Sequence, residues 1–207
     1  ITIPSMGWYA GNILSVTGEY YGVEKTIEKE FEVFKNKSGR PGGSGASAGS
    51  CAHVSPYSFS SQEDTPKGIA FSKSGTKMFI AGIGSDAVNE YTLTGAYCIG
   101  TASFVDSFSV SSQDDRNEDL AFNKSGTKMF VVGNTGNDVN EYTLATAWDV
   151  STASFVDSFS VNSQETAPNT IWFDSSGKTM FIVGNAGDDV NIYKLTTAWD
   201  VSTASFV

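Results

Sequence analysis

The chain has 207 residues, 40% of them hydrophobic, with 21 glycines, 14 phenylalanines and a net charge of −10. That charge excludes the basic surface that nucleic-acid phosphates or an anionic membrane face require, and no apolar run is long enough to cross a bilayer as a helix. The apolar content suffices for a packed core, and the mixture of Gly, Ser, Thr and aromatic residues favours strands and tight turns over helices.

The chain opens ITIPSMGWYAG, with no initiator Met, basic segment or apolar run, so a signal peptide is expected to be absent or already removed. Residues 1–37 are predicted to form a small β-rich module for anchoring or assembly. Trp8, Tyr9, Ile13, Leu14, Val16, Tyr20, Tyr21 and Val23 read as short strands broken at Gly11, Gly18 and Gly22. In the following EKTIEKEFEVFKNK, Ile27, Phe31 and Phe34 fit a helical stripe. Glu28, Glu30 and Glu32 alternate with Lys29, Phe31 and Val33 as in a strand, and strand is the reading taken. Residues 38–53 begin SGRPGGSGASAGS and read as a flexible linker. Cys51 and Cys98 are too few for a disulfide framework; two free or buried thiols, or one disulfide, both remain open.

From residue 54 onward the chain repeats. Phe71, Phe122 and Phe173 are 51 apart, as are Gly75, Gly126 and Gly177, and Tyr91, Tyr142 and Tyr193. Three repeats follow, 55–105, 106–156 and 157–207, and such a period marks a propeller, solenoid or array. In the middle copy the strands are predicted over Asp119–Asn123, Lys128–Gly133, Val139–Leu144 and Ser154–Val161. Lys124–Thr127 makes a tight turn and Asn134–Asp138 a polar one. Four antiparallel strands per unit describe a propeller blade. The predicted fold is all-β, a propeller-type array of three four-stranded blades behind the N-terminal module.

FSKSGTKMFIAG, FNKSGTKMFVVG and FDSSGKTMFIVG resemble the hairpins of YVTN and TolB-like β-propellers, and the 51-residue unit is similar to repeats of bacterial surface proteins and phage structural proteins. The resemblance covers the three repeats and implies a blade, not a particular activity. Ser74 and Ser125 stand where those hairpins commonly carry Asp.

Val207 aligns with Val156, Val105 and Val54, so Ser55–Ser60 corresponds to the remainder of the last strand. That segment is expected to complete the last blade, within one chain or between two, since an N-terminal strand so placed removes an exposed edge. Three blades fall short of the usual 4–8, which leaves two chains making six blades, or an arc of a longer array.

Antiparallel order gathers the carboxylates on one face. Glu63, Asp64, Asp114, Asp115, Glu118, Asp119 and Glu165 lie on the connections entering each repeat, and Asp86, Asp138, Asp188 and Asp189 on the polar turns. The first group is a candidate ligand-binding surface. The second is a candidate Ca2+ set, since carboxylates and carbonyls suit that ion, although Asp is also an ordinary turn residue. The opposite face carries Lys73, Lys77, Lys124, Lys128 and Lys178 with Trp148 and Trp199, which read as sugar-stacking platforms or as covers of the blade ends. Met78, Met129 and Met180 read as core.

His53 is the only histidine and lies beside the linker, so a Ser-His-Asp triad would lack support. No zinc set, phosphate-cradling loop or dinucleotide fingerprint is present. The favoured expectation is therefore a protein that is not an enzyme. It would be a structural and binding protein outside the cell, on a cell surface or on a virion, without an obligatory cofactor. Its partners would be copies of itself or other structural proteins, with a surface glycan or receptor as ligand and no nucleic acid or membrane insertion. The alternatives are a secreted propeller hydrolase or lactonase with an axial Ca2+, and an intracellular interaction scaffold.

Overall fold

The structure is a computed structural model that describes residues 56–207 in full, together with the backbone of Ile13–Tyr20 and Val23–Glu30. The chain divides into two compact units, Ile1–Gly45 and Ala46–Val207. In the first, β1 (Ile13–Tyr20) and β2 (Val23–Glu30) pair antiparallel from Ile13↔Glu30 to Tyr20↔Val23. The strand reading of EKTIEKE therefore holds within β2. The predicted break at Gly18 does not occur, because Gly18 keeps its cross-strand partner, Lys25. The proposed linker, His53 and Cys51 lie outside the described residues.

The second unit is three four-stranded antiparallel sheets. The first holds β3 (Pro66–Phe71), β4 (Lys77–Gly82), β5 (Ala87–Thr92) and β6 (Ser103–Ser109). The second holds β7 (Asn117–Phe122), β8 (Lys128–Gly133), β9 (Asp138–Leu144) and β10 (Ala153–Ser160). The third holds β11 (Pro168–Phe173), β12 (Thr179–Gly184), β13 (Val190–Leu195) and β14 (Ala204–Phe206). Predicted and observed strands of the middle repeat agree within two residues. The connection after β9 contains a short 3-10 turn, Val150–Thr152, which spacing alone does not show. It forms because Asp149 Oδ1 accepts from the Ser151 N–H and hydroxyl at 3.2 and 2.6 Å.

Alternation along the strands builds the core. Phe79, Ala81 and Val88 on one face of the first sheet meet Leu120, Met129, Val131 and Tyr142 of the second. Phe130, Val132 and Val139 repeat the arrangement against Ile171, Met180, Ile182 and Tyr193 of the third. Met78, Met129 and Met180 are all fully buried. Burying a side chain of this size stabilises by about 1.5–3 kcal/mol.

A polar stitch accompanies each of these contacts. Lys77 Nζ donates to Glu90 Oε1 at 2.6 Å and to the Trp148 carbonyl of the next blade at 2.7 Å, and Glu90 Oε2 accepts the Val150 N–H. Lys128 and Glu141 hold the Trp199 carbonyl and the Val201 N–H in the same way. The corresponding residues of the third blade are Thr179 and Ile192.

The segment Pro56–Phe59 is not in a strand. Tyr57 and Phe59 instead stack edge-on against Tyr91 at 5.9 and 5.4 Å. They cover the first blade as Phe108 covers Tyr142 and Phe159 covers Tyr193. The expected completion of the last blade by this segment within one chain is thus not what the structure shows. Cys98 is disulfide-bonded, which removes the reading of two free thiols.

Candidate functional site

Three of the predicted ligand carboxylates are buried clamps. Glu63 accepts from the Thr65, Gly84 and Ser85 N–H groups at 2.8–3.1 Å and from the Ser85 hydroxyl at 2.6 Å. Asp114 accepts from the Arg116, Thr135 and Gly136 N–H groups. Glu165 accepts from the Ala167, Ala186 and Gly187 N–H groups. Each carboxylate ties the strand entering its blade to the turn between the second and third strands. Gly82, Gly133 and Gly184 leave the room, since a Cβ there would stand 2.1–2.4 Å from the carboxylate. Burial pushes the Glu63 and Glu165 carboxyls up, but the hydrogen bonds outweigh it and hold both below the ordinary value.

The other acidic positions are dispersed. Asp64 and Asp115 are exposed, each accepting one hydroxyl, from Thr65 and Thr135. Asp119 bridges two blades, accepting from Leu120 at 2.8 Å and from Ile171 at 3.1 Å. Burial raises its carboxyl above the usual range, partly offset by the Ile171 and Leu120 N–H groups. Asp86 and Asp188 occupy left-handed turn positions with φ of 49° and 54°. Asp138 and Asp189 each accept from the amide of the Asn two residues on. These four aspartates lie at the polar turns of three blades, Asp188 and Asp189 sharing the third. Among the described residues no three His, Cys, Asp or Glu side chains converge on a possible metal position.

Glu118 is different. At the start of β3, β7 and β11, the inner strands through which neighbouring sheets meet, the pairing skips one residue, between Pro66 and Gly68, Asn117 and Asp119, and Pro168 and Thr170. Lys67, Glu118 and Asn169 are the bulged residues, and a bulge re-aims its side chain out of the pleat. They converge with Arg116, Asn134 and Asn185 on a cavity of about 310 Å³. Glu118 is nearly buried. Lys67 Nζ lies 3.1 Å from its Oε2 and Arg116 Nη2 3.3 Å from its Oε1. Both cations are more than a third exposed, so the pocket offers two solvent-facing positive groups, one neutralised carboxylate and three amides. Sequence reasoning found Glu118 and missed the other five. The available signal was a repeated position holding three unlike residues, Lys, Glu and Asn.

At the other end of the inner strands lies a cleft of about 530 Å³ lined by Phe71, Phe122, Phe173, Trp148, Trp172 and Trp199 with Lys73 and Lys124. Trp148 and Trp199 are half-buried with φ of 62°. Their indoles lie on Gly126 and Gly177, and their rings lie 5.2 Å from Phe122 and Phe173. These contacts make them covers of the blade ends. Trp172 is the exposed aromatic, where the other repeats have Ala70 and Ala121.

No protein-family model matches the chain, and no curated protein sequence matches it. Solved structures do. A protein of Bacteroides fragilis assigned as a 6-phosphogluconolactonase is 11% identical with a TM-score of 0.52, over 69% of this chain and 37% of its own. A functionally unknown protein of Desulfotomaculum acetoxidans is 19% identical with a TM-score of 0.50, over 70% and 41%. The periplasmic gluconolactonase of Pseudomonas aeruginosa is 15% identical with a TM-score of 0.49, over 68% and 37%. The likeness carries the fold: the three sheets are β-propeller blades. The chain spans about two fifths of the length of these proteins. The expectation that this protein is not an enzyme is overturned by the likeness to a protein assigned as a lactonase. Uniform blades and missing catalytic motifs are no ground for excluding catalysis in this fold.

Proposed function

We propose that the bulge pocket binds an anionic polyol of the sugar-acid or sugar-lactone class, and that the chain is the ligand-binding arc of a propeller hydrolase. The observation that carries this reading is the convergence of Lys67, Arg116 and Glu118 with three asparagines on one cavity. Lys67 and Arg116 bind a carboxylate or phosphate by charge-assisted hydrogen bonds, and the amides read hydroxyls. In a lactone the same cations polarise the carbonyl, and Glu118 takes a proton from the attacking water. The new C–O bond forms at the carbonyl carbon, the ring ester bond breaks, and Glu118 returns the proton to the ring oxygen, which leaves as a hydroxyl. Calcium does not fit this pocket, because each oxygen of its one carboxylate already faces a cation. The disulfide on Cys98 and the acidic composition support a location outside a reducing cytosol. The test is acid release from glucono-δ-lactone and 6-phosphogluconolactone at neutral pH. Turnover that falls at least about 100-fold in Glu118→Gln supports the assignment. Turnover unchanged in that variant refutes it.

A further inference from the structure

The third blade exposes the face that the first two blades bury. In register across the sheet, Trp172, Phe181 and Ile192 lie side by side, with Val183 opposite Val190. Trp172, Val183, Val190 and Ile192 are all exposed, whereas Val88, Val132 and Val139 at the matching positions of the earlier blades are fully buried under the next blade. The occupant of this face is thus a further blade, presenting the surface that Leu120 and Ile171 present. Among the described residues one such surface is uncovered. Ile69 of the first blade is 49% exposed where Leu120 and Ile171 are each 4%.

The stitch residues say which blade fits. A blade of the second or third kind presents a Trp carbonyl and a Val N–H that need a Lys and a Glu on the preceding sheet. The third blade has Thr179 and Ile192 there and can supply neither. The first blade presents Tyr97 and Ile99 instead, and the Ile99 N–H already donates to the Tyr97 carbonyl at 3.0 Å. It is the one blade of the three that needs no such stitch. Tyr97 also lacks the half-buried seat of Trp148, being 57% exposed.

Tyr57 lies against Tyr91 as Phe108, in the last strand of the first blade, lies against Tyr142 of the second, so a first blade docked on the third would set Pro56–Phe59 beside β13.

We propose that the third blade docks the first blade of a second copy of this chain, and that two arcs close head to tail into a six-bladed ring. Six blades fall within the usual 4–8. Each bulge pocket then sits in a closed ring rather than on an open arc.

The test is the mass of the full chain by light scattering after size exclusion, with two variants. Wild type is expected at twice the 22.0 kDa of one chain. Val190→Glu and Ile192→Glu, which each place an unpaired charge in the seam, are expected to weaken the dimer at least about tenfold while keeping the β-sheet circular-dichroism spectrum. Val190 and Ile192 are both exposed in the single chain, so loss of fold is not expected. A wild-type monomer at 100 µM overturns the proposal. So does a dimer that both variants leave intact, since its interface then lies elsewhere.

Discussion

Glu165 is fully buried, and three backbone N–H groups hold its carboxylate charged. Its folded pKa, like that of Glu63, lies below the unfolded value of 4.5. Such a group contributes stability above pH 4.5 that is lost as pH falls through the lower folded value. Asp119 acts with the opposite sign, because its folded value lies above 3.8 and its cost at neutral pH disappears on acidification. Glu165→Gln is therefore expected to lower stability at pH 7 by about 2 kcal/mol and to flatten the loss below pH 4.5. Urea midpoints across pH 3–7 check this, and an unchanged acid slope would contradict the clamp. The carboxylates were legible in the sequence because they repeat. Their role was not, because spacing does not show which N–H groups a side chain meets. The glycines ending each second strand were the visible trace of it.

The elements follow the same division between what alternates and what pairs. Strands and turns could be read from Phe71, Gly75 and Tyr91 and their copies, because a 51-residue period places each at one position of a blade. The bulges could not, because Lys67, Glu118 and Asn169 leave the ladder only through the register of two strands. The stitch is likewise invisible along the chain, joining residues 71 apart in Lys128 and Trp199. Its parts are coupled. Lys128→Thr leaves a buried Glu141 without its cation, a loss of about 3 kcal/mol. The double change Lys128→Thr with Glu141→Ile copies the third blade and is expected to cost less than the sum of the singles by about 1–3 kcal/mol. Chemical denaturation of the four proteins measures this, and strict additivity would mean that the pair is not a unit.

At the scale of the molecule, a net charge of −10 surrounds a pocket whose nearest charges sum to positive, Lys67 and Arg116 against Glu118. An anionic ligand is held there by short-range contacts rather than by the field of the whole chain, so binding depends on the bulged side chains themselves. Calorimetric titration of 6-phosphogluconate into the full chain is the most direct test of this assignment. Saturable binding is expected, weakened at least about tenfold in Arg116→Ala and abolished in Lys67→Glu. No heat of binding to wild type, or binding that both variants leave unchanged, would contradict it.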